Sequence, residues 1–95
     1  MTATNLTTGK HVVVTDFEGG EGVLVDLNTK RYFQLNETAM LVWRGLEQGK
    51  SLSDIVNDVT ASYEVDTAHA TNSVERLLDS FQAYKLVSKV VTAKQ

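Results

Sequence analysis

His11 and His69 are the only histidines of this 95-residue chain, and they fall on different expected elements. Neither has a Glu at ligand spacing. The chain holds no cysteine, which excludes a thiolate zinc site and an iron–sulfur cluster. Asp54 and Asp58 are four apart, a spacing that sets two carboxylates on one side of a helix. They lie opposite that helix's apolar stripe, however, where such a pair is a solvated face and not an acid–base couple. Gly19-Gly20-Glu21-Gly22 is rich in glycine, but a phosphate-cradling loop runs directly into a helix and this one lies between two strands. It reads as a turn. No nucleophile–base pair emerges from spacing, so the expectation is a protein without catalytic activity, cofactor or metal.

What is left is binding, and the elements that would position it centre on residues 22–36, GVLVDLNTKRYFQLN. They read as a β-hairpin, with Val23, Val25 and Leu27 on one face of its first strand and Phe33 and Leu35 on one face of its second. Asn28-Thr29-Lys30 makes a turn looser than an Asn-Gly pair would give. Before it, residues 11–15 are β-branched and form an earlier strand, which gives a three-stranded meander. After it, Asn36 caps a helix with the stripe Ala39, Val42, Trp43 and Leu46, which Gly49 ends. Ser51 opens a second helix bearing Leu52, Ile55, Val56, Val59 and Tyr63. Asp66 caps a third, with Ala70, Val74, Leu77, Leu78, Phe81 and Tyr84 on one face. Residues 86–91 extend along the body as a short strand. Whether they cover the free edge of the hairpin is open at this stage.

Length and composition fit this as one domain over residues 10–91, with a flexible tail at 1–9 and another at 92–95. Hydrophobic residues make 42% of the chain, too many for disorder. Apolar runs such as residues 40–43 are far short of a membrane span, and the first ten residues lack the pattern of a secretory signal. A cytoplasmic protein, monomeric or weakly dimeric, is expected.

Three helices with a small sheet also raise a winged helix-turn-helix that binds DNA as a transcription regulator. Charge speaks against it. Net charge is −3, and residues 51–84 hold six acids (Asp54, Asp58, Glu64, Asp66, Glu75, Asp79) against one base, Arg76. Such a surface repels phosphate, so no nucleic acid and no membrane is expected as partner. An open strand edge beside an apolar helix face is instead a groove for an added peptide strand. Lys30 and Arg31 at the start of that strand, with Arg76 on the helix, give it a positive end that suits a guest with acidic residues. A structural subunit that dimerises through the same edge is a blander alternative.

The run from Val23 through Arg31-Tyr32-Phe33-Gln34-Leu35-Asn36-Glu37-Thr38-Ala39, with Val42-Trp43, Tyr63-Glu64-Val65-Asp66 and Leu86-Val87, resembles the PqqD-like proteins. These are recognition elements for the precursors of ribosomally made, modified peptides. The resemblance implies an α+β winged helix-turn-helix, a three-stranded antiparallel sheet followed by three helices. It implies that a leader peptide binds as an antiparallel strand between strand three and helix three, and is passed to a modifying enzyme, often a radical SAM enzyme. Carried over by position, the site would be Arg31, Tyr32, Phe33, Gln34 and Leu35, with Val74, Leu77, Leu78 and Phe81 shared between groove and core. Lys30 and Lys85 stand where the family has glycine, and Ser73 where it often has Asp. Members devoted to pyrroloquinoline quinone tend to carry a Pro-Glu-Gly turn that this proline-free chain lacks. Another peptide pathway is therefore expected, with a quinone-synthesis chaperone as the lesser alternative.

Overall fold

The computed structural model describes residues 6–89. Residues 1–5 of the tail expected at 1–9, the tail expected at 92–95, and the end of the strand expected to reach 90 and 91 lie outside the described residues. Among the described residues five strands and three α-helices follow in order, with a 3-10 turn at Glu18–Gly20 between the second and third strands: β1 (Leu6–Thr8), β2 (Val12–Asp16), β3 (Gly22–Asp26), β4 (Arg31–Leu35), α1 (Glu37–Glu47), α2 (Leu52–Ser62), α3 (Thr67–Ala83) and β5 (Val87–Lys89). β2, β3 and β4 form the expected antiparallel meander, with the helices packed on one face of it.

The face of β3 turned to the helices is not the one expected. Leu24 is fully buried and Asp26 nearly so, whereas Val23 and Val25 are half-buried and Leu27 lies outside the strand, 47% exposed. A period of two defines two faces and cannot by itself say which is inside. Gly22, on the inward set, decides it. A Cβ there would come within 2.6 Å of the Thr15 carbonyl oxygen and 2.7 Å of Met40 Sδ, so its bare backbone lets α1 close on the sheet. Asp26 is inward because it holds the hairpin turn. Its Oδ1 accepts from the amides of Asn28 at 2.9 Å and Thr29 at 3.2 Å. The turn is accordingly a loop of four residues, Leu27 to Lys30, closed by Lys30 N–H donating to the Asp26 carbonyl.

All three expected helix caps are made. Asn36, Ser51 and Asp66 accept through their side chains from the amides of Ala39, Asp54 and His69 at 2.9, 3.1 and 2.8 Å. The stripes they launch meet in one core, where Trp43 of α1 meets Phe81 of α3 edge to face at 5.3 Å. α1 and α3 end in the same pair of backbone bonds. Lys50 N–H reaches the Gly45 carbonyl and Gly49 N–H that of Leu46; Leu86 N–H reaches Phe81 and Lys85 N–H reaches Gln82. That ending needs a left-handed residue, which is Gly49 in α1 (φ 73°) and Lys85 in α3 (φ 60°). Lys30 is left-handed too, at φ 65°.

The chain ends depart from expectation. Residues 6–8, expected as tail, form β1, which pairs antiparallel with β5 so that Leu6 lies opposite Lys89 and Thr8 opposite Val87. Leu6, Leu86 and Val87 are all buried, and this burial is what holds the two short strands. β5 therefore pairs with β1 and not with β4.

Candidate functional site: an open strand edge beside α3

The two bonds that bracket the β2–β3 ladder fix its parity. Leu27 N–H donates to the His11 carbonyl at 2.8 Å and Phe17 N–H to the Glu21 carbonyl at 2.7 Å. Odd-numbered residues of β3 thus bond to β2, and its even-numbered residues bond to β4. Their partners are Arg31 opposite Asp26, Phe33 opposite Leu24 and Leu35 opposite Gly22. The N–H and C=O groups of Tyr32 and Gln34 consequently point the other way. Among the described residues no strand pairs with them.

Beside this edge runs α3, antiparallel to β4. Its last turn meets the strand's middle, where Tyr84 packs on Phe33 with ring centroids 5.0 Å apart. Farther back along the helix, Ser73, Arg76 and Leu77 face Asn36 and Thr38 across an open depression of about 310 Å³. His11 closes the other end. Its Nε2 donates to the Lys85 carbonyl at 3.1 Å and stands 4.0 Å from Asp26 Oδ1, which places the turn after α3 beside the start of β4. Burial pushes the Asp26 carboxyl up, but the amides of Thr29 and Asn28, the Thr29 hydroxyl and His11 outweigh it, and the net shift is downward.

The site residues expected from sequence divide. Arg31, Tyr32 and Gln34 are exposed and Phe33 is half-buried, as an edge with an inward aromatic requires. Leu35, by contrast, is core. On α3, Val74, Leu78 and Phe81 are buried and belong to the core, while Leu77 is half-buried and Arg76 exposed at the depression. The core takes three of the four apolar positions because α1 and α2 together cover that side of α3. Tyr84, half exposed and packed on Phe33, occupies the open side of α3 where Phe81 was expected. It stands seven residues after Leu77, on the same side of the helix, and that spacing is the signal that points to it. Asn36, Thr38 and Ser73 were not expected at the site.

Lys30, Arg31, Arg76 and Lys85 are exposed, and among the described residues none has a carboxylate within ion-pair distance. The far side of the molecule contrasts. A larger depression of about 650 Å³ lies between α1 and α2, but both of its cations are already paired. Arg44 pairs with Glu47 and Asp16, which together raise its pKa further, and Lys50 pairs with Asp58. It is the larger hollow and the poorer candidate.

Comparison with known proteins finds similar solved structures and a matching family. A solved structure described as "TbiB1 in Complex with the TbiA(beta) Leader Peptide" superposes with a TM-score of 0.81 at 27% identity, covering 90% of this chain and 99% of the other. A second, "Lasso peptide synthetase B1 complexed with the leader peptide", gives 0.80 at 26%, covering 88% and 98%. No curated protein sequence matches. The model of the family "Coenzyme PQQ synthesis protein D (PqqD)" matches residues 21–87, more than two thirds of the chain, and the protein belongs to that family.

Proposed function

We propose that the protein is a non-catalytic peptide-binding module. It takes up the leader segment of a ribosomally made precursor peptide as an extra antiparallel strand on β4, and presents it to a modifying enzyme. The observation that carries this reading is the main chain of Tyr32 and Gln34, which no strand pairs among the described residues, beside the Phe33–Tyr84 contact, in a family member whose solved relatives were captured with leader peptides. Backbone pairing supplies affinity with little demand on guest sequence, and guest side chains entering beside Leu77 and Tyr84 supply selectivity. The resemblance points to a radical SAM enzyme as recipient. One relative is a lasso peptide synthetase component, so co-purification with either enzyme type decides the pathway.

The test is an amide NMR titration with the leader of the precursor peptide encoded nearest the protein. Shifts are expected at residues 31–35 and along α3 from Ser73 to Tyr84. Shifts confined to α2 would refute the groove. DNA recognition through α3 is the weaker reading, because Glu75 and Asp79 are exposed on that helix.

A further inference from the structure

Of the exposed cations with no ion pair among the described residues, Lys10 lies in the turn before β2, whereas Arg31, Lys85 and Arg76 border the groove in the order of its floor. Arg31 shares the inward face of the hairpin with Asp26, its cross-strand partner, and with Phe33. The left-handed turn at Lys85 sits beside Asp26 through His11, so Lys85 and Arg31 are at the same end. The middle is apolar, made by Phe33, Tyr84 and Leu77. Arg76 stands at the far end, across from Asn36, the residue that follows β4. At 100° per residue Glu75 falls about 160° around the helix from Leu77, away from the groove. Asp79, three residues after Arg76, is on a neighbouring side of the helix, but among the described residues it makes no ion pair with Arg76.

From Arg31 to Leu35 the strand advances four rises, about 13 Å. A guest strand alternates faces with the same period, so its residues i, i+2 and i+4 point to the helix side together. We propose that the groove selects extended peptides with an acidic residue at i, a large apolar residue at i+2 and a second acidic residue at i+4. The outer acids meet Arg31 with Lys85 at one end and Arg76 at the other, and the central side chain enters over Phe33, Leu77 and Tyr84. The two intervening guest residues face away, beside Tyr32 and Gln34, and are free in type. This selection rests on the strand-addition reading and adds a rule about which strand is accepted.

Placement can be separated from charge with two peptides of identical composition. Ser-Thr-Glu-Thr-Leu-Thr-Glu-Thr-Ser sets both acids on the leucine's face, whereas Ser-Glu-Thr-Thr-Leu-Thr-Thr-Glu-Ser sets both on the opposite one. A third, with Gln for both Glu of the first, removes the charge. Anisotropy of labelled peptides at low ionic strength should give the first about fivefold higher affinity than either other, since two exposed ion pairs each contribute a factor of a few. The gap should close in 0.5 M salt. Arg31→Glu combined with Arg76→Glu, both exposed positions, should reverse the preference toward a version with Lys for Glu. Amide shifts at Tyr32 and Gln34 with equal affinities for the two isomers would overturn the spacing rule and leave strand addition standing. No shift at those amides with any peptide would overturn both.

Discussion

A proline scan along β4 tests the parity of the open edge, because adjacent positions should respond in opposite ways. Gln34→Pro removes an N–H that points away from β3. Proline is tolerated in an edge strand where the lost N–H faces solvent, and Phe33 before it is already extended. The fold should therefore lose little. A guest strand, however, loses one main-chain bond to Gln34 and meets the ring where its own carbonyl would sit. A net hydrogen bond is worth about 0.5–1.5 kcal/mol, and the clash at least as much again, so affinity should fall about 10- to 100-fold. Phe33→Pro differs in kind. Phe33 exchanges ladder bonds with Leu24 and buries half its ring against the core, so this variant should lose about 3 kcal/mol or more of stability. Urea unfolding followed by the single Trp43, fully packed in the core, measures the first quantity. Anisotropy of a labelled leader peptide measures the second. If Gln34→Pro is folded and binds normally, the guest does not pair at Gln34. If it unfolds while Phe33→Pro stays folded, the parity is reversed.

Four other outcomes follow from the same coordinates. Lys85→Gly should stabilise by about 0.5–1 kcal/mol, seen as a rise in Tm of about 4 °C, because glycine removes the left-handed penalty at that helix end; Gly49→Lys should cost a similar amount at the matching end of α1. Gly22→Ala should cost about 1–3 kcal/mol in urea unfolding, since its methyl meets Thr15 and Met40. Asn36→Ala should cost about 1 kcal/mol by losing the cap of α1. The carboxyl of Asp26 has its folded pKa below the ordinary value of 3.8, so the stability it contributes is present above that pH and lost as pH falls through the folded pKa. Asp26→Asn should flatten the acid limb of the stability-against-pH curve, and an unchanged limb would rule out this carboxylate as its source.

The legible parts of the fold were those written in single residues. Asn36, Ser51 and Asp66 announce helix starts because their short oxygens bond amides two or three positions on, whatever the tertiary context. The helix stripes and the meander were legible by period. What failed depended on contacts between distant segments. Val23, Val25 and Leu27 outrank Gly22, Leu24 and Asp26 in hydrophobicity, yet the second set is inside, since one residue gives α1 room and another ties the turn. β1 and β5 are three residues each, too short to show alternation, and each exists only because the other is there. At the site, strand order made the open edge legible. The groove floor was not, because a single amphipathic stripe on α3 serves the core with Val74, Leu78 and Phe81 and the groove with Leu77 and Tyr84.

The distribution of left-handed residues links stability to the site. Five described residues have positive φ, and at Gly19, Gly20 and Gly49 the residue is the one that adopts it without strain. The two exceptions are Lys30 and Lys85. Both stand at the mouth of the groove, one ending the hairpin loop before Arg31 and one ending α3 beside Tyr84. At each the backbone geometry would be cheaper with glycine, and at each a cation is present instead. Strain held in this way at a surface position, with no ion pair or buried contact to offset it among the described residues, makes sense if the charge acts on something outside the chain. An acidic guest strand is such a partner. The glycine variants that raise stability at these two positions are then the same variants that weaken its capture.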